Sequence, residues 1–185
     1  MPRWSLTPIV IAALAIPAAA TAEAGDVGRM RAYHDGVVAA MKMSGGLAAR
    51  AAAFEPLVRD YYDMPTIAAL VVGPGWAQTG AADRAALAKA LARHSAVSLA
   101  RNFGSYGGER FAVADQVVDR GTSQLVTVRV GTDTLVYRLR RGRIVDVVSG
   151  GVSNLALQRA DFASTLAKGG AAALVAKLAT LDAVK

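Results

Sequence analysis

Apolar residues return every three or four positions through the first half of this chain, and alternate with polar ones through much of the second. From Asp26 to Lys42, the residues Met30, Tyr33, Val37, Val38 and Met41 recur at helical spacing, and Ser44-Gly45-Gly46 ends the run. Leu47 to Tyr62 predicts a second helix, with Phe54, Leu57, Val58, Tyr61 and Tyr62 along one side. Asp63 suits the N-cap of a short third helix that tolerates Pro65 in its first turn and stops at Gly73-Pro74-Gly75. The longest helix is predicted over Ala81–Phe103, where Leu87, Leu91, Val97, Leu99 and Phe103 recur.

Past Gly107-Gly108 the period drops to two. Arg110–Asp119, Ser123–Val130, Thr134–Arg140 and Arg143–Val148 are β-branched runs separated by tight turns at Arg120-Gly121, Gly131-Thr132-Asp133 and Arg141-Gly142. Four short strands in succession predict an antiparallel meander. Leu135, Tyr137 and Leu139 fall on one face of the third strand and Val136, Arg138 and Arg140 on the other, so one face is buried and one wet. Helical spacing resumes over Ser153–Lys168 and Ala171–Thr180, with Gly169-Gly170 between. The expected class is α+β: a curved antiparallel sheet of about four strands, with N-terminal and C-terminal helices enclosing an apolar cavity.

The first 22 residues stand outside that pattern. Arg3 gives a short positive region, Leu6–Ala20 is apolar apart from Thr7, Pro8 and Pro17, and Ala20-Thr21-Ala22 fits a small-residue cleavage site. The run is shorter than the roughly 20 residues of a spanning helix. Residues 1–22 are therefore expected to be a cleaved signal peptide, with cleavage after Ala22 or Ala24, and 23–185 a single exported domain, which in a cell with two membranes means the periplasm. The chain has no cysteine, so no disulfide or thiolate chemistry serves it even in an oxidising compartment, and a mature chain of about 160 residues must hold itself by its core.

The net charge is +7, lowered by one when Arg3 leaves with the leader. For an exported protein that balance points to anionic membrane surfaces or headgroups rather than nucleic acid. Hydrophobic residues make up 54% of the chain, enough to suggest that something apolar is housed.

Catalytic chemistry is sparse. The two histidines, His34 and His94, have no second histidine or carboxylate at metal-ligand spacing, and neighbouring His34 and Asp35 point about 100° apart on a helix. No nucleophile elbow, phosphate loop or H-E-x-x-H is present, and Gly104–Gly108 leaves a helix to enter a strand, the reverse of a phosphate loop. Asp115 and Asp146 interrupt strands and could face a cavity, where a carboxylate can act as a base. The arginine run Arg138, Arg140, Arg141 and Arg143 reads as a solvated hairpin, with headgroup or membrane contact as a second reading. No catalytic residue, metal or cofactor is assigned.

Two stretches together resemble a known family. "DMPTIAALVVGPGW" is similar to the segment of the MlaC/toluene-tolerance family in which an Asp, a short apolar helix and a Gly-x-x-Trp lead into the long helix, here Asp63, Ile67, Leu70, Gly73 and Trp76. "VDVVSGGVSNLALQRADF" resembles its second mark, with Asp146, Val147, Gly151, Val152, Ser153, Arg159, Asp161 and Phe162 on the pattern. Leu157-Gln158 stand where the family has Asn-Tyr, and with Leu155-Ala156 they look more like its hopanoid-associated HpnM branch, which leaves glycerophospholipid and polycyclic triterpenoid both open.

The resemblance implies a periplasmic lipid-binding shuttle with an NTF2-like curved sheet. Its cargo is phospholipid or hopanoid, and its partners are an inner-membrane MCE-type ABC transporter complex and an outer-membrane lipoprotein/porin complex. It implies a monomer that touches membranes transiently and needs neither metal nor cofactor. A lipid tail in water exposes about 0.8 kcal/mol of unfavourable surface per CH₂, so a carrier must offer an equally dry wall. Tyr61, Tyr62, Ile67, Leu70, Val71 and Trp76 are expected on one side of it. Leu91, Leu99 and Phe103 would form a second side, and Phe111, Val128, Leu135, Tyr137 and Val147 the sheet side. Two rivals stay open: an enzyme acting on a small apolar substrate, and an adaptor that binds partner proteins through apolar helices.

Overall fold

A computed structural model describes residues 18–183. The predicted leader therefore lies largely outside the described residues. Helix α1 (Ala18–Met41) is followed by α2 (Gly46–Tyr61), α3 (Met64–Val72), a 3₁₀ segment (Gly73–Gln78) and α4 (Ala81–Asn102). Strands β1 (Phe111–Asp119), β2 (Gln124–Val130), β3 (Asp133–Arg140), β4 (Arg143–Ser149) and β5 (Val152–Ser153) then lead into α5 (Asn154–Leu181). The strands form one antiparallel sheet in chain order. The fold is the expected α+β meander with helices before and after it, extended by a fifth strand of two residues.

Local chemistry explains the punctuation. Asp63 caps α3, its carboxylate accepting from the Thr66 backbone N–H at 3.1 Å and the Thr66 hydroxyl at 2.7 Å. Arg141 and Gly142 form the two-residue turn between β3 and β4, both with positive φ, which is the twist a tight hairpin needs. Ser153 caps α5 by accepting from Ala156 N–H at 3.0 Å. Gly169 and Gly170 leave helical geometry and bend α5 into two segments, in the place where sequence spacing separates two helices.

The helices gather on one face of the sheet. Helix α1 lies along β1 and touches β2, α2 packs on α4, and α5 packs on α4, α3 and β4. Val126, Val128, Tyr137, Leu139 and Ile144 supply the sheet side of the core, against Phe54, Leu87, Leu91 and Val97 from the helices. The α2–α3 junction is stapled to β4: Tyr62 bridges Ile144, Asp63 N–H donates to the Ile144 carbonyl at 2.9 Å, and the Arg143 guanidinium donates to the Tyr62 carbonyl at 2.6 Å and the Arg59 carbonyl at 2.7 Å. No helix among the described residues is long and apolar enough to cross a membrane.

Candidate functional site

The helix-covered face of the sheet carries an aromatic cluster. Tyr33 of α1 stacks edge-on against Tyr62 and Tyr137, each with ring centres 5.9 Å away, and leans on Tyr61 at 5.3 Å. His34, next along α1, lies 5.1 Å from Tyr137 and 4.7 Å from Phe111. The polar tips are paired inside. The Tyr33 and Tyr62 hydroxyls are 2.9 Å apart, and His34 sits 2.8 Å from the Met30 carbonyl and 3.0 Å from the Tyr137 hydroxyl. Burial pushes the Tyr62 phenol up to about 12, raises Tyr33 and Tyr137 well above the usual phenol range, and lowers His34 to about 4.

That cluster divides the expected cavity wall. Leu91, Val128 and Tyr137 are buried in the core, Leu135 packs against it half-buried, and Tyr61 lies half-buried beneath the Arg29 guanidinium. Val71 faces a depression between α3 and α5, and Leu70 is half-buried beside it in sequence. Trp76 is covered by the Arg84 guanidinium 5.1 Å from its ring. Phe103 bridges Phe54 and Phe111, and Phe111 borders a separate depression between α1 and β1. In this structure the residues of the expected wall stand in several packed groups. The cause is α1, whose Tyr33 and His34 occupy the space over the sheet.

Four of the predicted residues do come together. Tyr62, Ile67, Leu99 and Val147, with Val145 and Leu155, form the apolar part of a cleft of about 310 Å³ between α3, α4, β4 and the start of α5. This is at the lower end of small-ligand sites, which run from roughly 300 to 1,000 Å³. Its rim is polar: Ser95, Ser98 and Asn102 come from α4, and Asn154, Gln158 and Asp161 from α5. Leu157 is largely exposed at the edge. The apolar periodicity of α4 hides the rim residues. Their own recurrence on a helical face was the signal available in the sequence.

The acidic candidates separate cleanly. Asp115 sits on the β1 bulge, exposed, in an ion pair with Arg31, and does not line this cleft. Asp146 does line the cleft and is buried, but its carboxylate accepts from the Ser153 hydroxyl at 2.7 Å and Leu155 N–H at 3.0 Å, which anchors the start of α5. His94 also lines the cleft, with Nδ1 2.7 Å from an Asp182 carboxylate oxygen. Ser95 and Ser98 share the cleft, yet neither hydroxyl hydrogen-bonds that imidazole. Among the described residues no group of three or more His, Asp or Glu is placed to hold a metal ion.

Of the four arginines, Arg143 is committed to the α2 carbonyls, whereas Arg138 and Arg141 are exposed and Arg140 is half-buried. Arg138 stands opposite Asp146 in the β3–β4 register, but the Asp146 oxygens are turned to α5.

A family model described as "MlaC protein" matches residues 32–180. No curated protein matches the chain. A solved structure with a similar fold is the phospholipid-binding protein from Ralstonia solanacearum in complex with a phospholipid. It has a TM-score of 0.72 and 17% identity, and the match covers 85% of this chain and 97% of that one.

Proposed function

The chain belongs to the MlaC family, and from that premise we propose that it is a periplasmic lipid-binding shuttle that carries phospholipid or hopanoid between membranes. The observation that carries the reading is the cleft of Tyr62, Ile67, Leu99 and Val147, an apolar floor opening through a polar rim between two helices. That division of surfaces is what an amphipathic lipid requires: tails against the floor, headgroup at the rim. The phospholipid held by the similarly folded Ralstonia protein supports the same cargo class.

At about 310 Å³ the cleft takes only part of an acyl chain, so uptake requires α5 to part from α4 and expose more of the apolar interior. Val71, Leu91, Phe103, Phe111, Val128, Leu135 and Tyr137 lie in or against that interior and, with half-buried Leu70 beside Val71 in sequence, are the reserve wall. The exposed Arg138 and Arg141, with Arg140, hold the protein transiently at an anionic membrane surface. Delivery and collection would run through an inner-membrane MCE-type ABC transporter complex and an outer-membrane lipoprotein/porin complex, with the carrier a monomer and no cofactor. A carrier rather than an enzyme is favoured by Asp146, whose two oxygens are both engaged in holding α5.

The test is native mass spectrometry of the protein purified without detergent, with lipid analysis of an organic extract. A stoichiometric adduct of phospholipid or hopanoid mass is expected. A bare mass that persists after incubation with liposomes would overturn the proposal.

A further inference from the structure

Two rows of hydrogen-bonding side chains line the cleft. On α4, Ser95, Ser98 and Asn102 fall at i, i+3 and i+7; on α5, Asn154, Gln158 and Asp161 fall at i, i+4 and i+7. Each spacing places its row on one helix face. Five of the six are uncharged groups that donate or accept hydrogen bonds. The Oε1 of Gln158 is buried at this wall with no hydrogen-bond partner among the described residues, an acceptor open to a donor that enters.

Charge in the cleft runs against the charge of the chain. The protein is +7 overall, yet Asp146 and Asp161 both line the cleft. Arg101 also lines the cleft, with one Nη2 N–H given to the Leu181 carbonyl at 3.0 Å, and the His94 Nδ1 lies 2.7 Å from an Asp182 carboxylate oxygen. A net-anionic group entering here meets two carboxylates against the single guanidinium of Arg101 in a partly desolvated space, whereas a zwitterion can answer both signs.

We propose that the cleft selects lipids whose headgroup is net-neutral and rich in hydrogen-bond donors, of the ethanolamine zwitterion type, over net-anionic headgroups. The proposal rests on the lipid-carrier reading above. The headgroup's N–H donors meet the Asp161 carboxylate and Gln158 Oε1. The serine hydroxyls and the Asn102 and Asn154 amides donate to its phosphate and ester oxygens. The surface arginines and the cleft then do opposite work: the protein is drawn to an anionic membrane and takes from it the lipid that is not anionic.

The experiment incubates the protein with vesicles of equimolar phosphatidylethanolamine and phosphatidylglycerol, re-isolates it and quantifies the bound lipids by mass spectrometry. Roughly tenfold enrichment of the ethanolamine lipid over its vesicle ratio is expected, equivalent to about 1.4 kcal/mol of discrimination. Asp161→Lys, on an exposed helix position, should invert the preference, and Gln158→Leu should reduce it. Bound lipids in the vesicle ratio, a preference for phosphatidylglycerol, or an unchanged preference in Asp161→Lys would overturn the selection while leaving the carrier intact. Capture of neither lipid would overturn the carrier reading and this inference together.

Discussion

The Tyr137 hydroxyl donates to Nε2 of His34 across 3.0 Å, and the tautomer this requires is set from the opposite side of the ring, where Nδ1–H donates to the Met30 carbonyl at 2.8 Å. The neutral imidazole thus has both nitrogens satisfied. Protonation would place a charge in a buried cluster whose other members are phenols, and burial disfavours it. The arrangement explains why α1 can lay a histidine on the sheet without opening it to water.

A pH dependence follows from the His34 pKa, which burial lowers from 6.5 to about 4. The unfolded chain takes up its proton first as pH falls. The contribution of neutral His34 is therefore fully present above about 6.5, is lost progressively on the way down, and is gone below about 4. The loss over that window is on the order of 3 kcal/mol. Urea denaturation of the wild type and His34→Gln at several pH values is the measurement. The variant should be less stable at neutral pH but flatter through the window, and parallel curves would show that another group drives the acid loss.

The Tyr33 and Tyr62 hydroxyls, 2.9 Å apart and buried, should behave as a pair. Tyr62→Phe leaves the Tyr33 hydroxyl without its partner and should cost about 1–2 kcal/mol. Tyr33→Phe should cost a similar amount. The double variant removes both polar groups and should lose clearly less than the sum of the two. Additive losses in a denaturation cycle would mean that the phenols are stabilised independently.

Gly170 has φ 61° and ψ −154°, a backbone conformation essentially restricted to glycine. It turns the second segment of α5 so that Ala171, Leu174 and Leu178 are buried. Gly170→Ala should lower stability by roughly 1–3 kcal/mol although a Cβ there meets nothing within 4 Å, because the strain lies in the backbone. A melting temperature unchanged from wild type would show that the bend relaxes freely.

The helices and the meander were legible because each carries its own period over seven or more residues, and the turns because Arg141-Gly142 and Gly169-Gly170 stand where those periods break. Strand β5, two residues long, has no room for a period. The site was half legible. Ile67, Leu99 and Val147 belong to apolar stripes, but whether a stripe faces a cleft or another side chain depends on what the remaining helices bring. Tyr33 and His34 read as ordinary positions on the α1 pattern, and only the docking of α1 on β1 shows that they lie over the sheet. The rim of Ser95, Ser98 and Asn102 lay in plain view as a polar row on α4, overshadowed by the apolar row beside it.

The contact between α4 and the end of α5 supplies the last prediction. His94 and Arg101 of α4 each reach the end of α5, one to Asp182 at 2.7 Å and the other to the Leu181 carbonyl at 3.0 Å. Asp182 is buried, so this tie is not a loose surface pair. If lipid enters by parting α4 from α5, the tie is a barrier to entry and exit alike. Asp182→Ala should then raise both the uptake and the release rates of a fluorescent phospholipid by roughly fivefold, the effect of about 1 kcal/mol off a barrier, with little change in affinity. Unfolding measurements should show a parallel loss of about 1–3 kcal/mol as His94 loses its partner. A variant that loses stability but exchanges lipid at the wild-type rate would place the entry route elsewhere. The α1–β1 depression at Phe111 is the next opening to test, with Phe111→Ala in the same exchange assay.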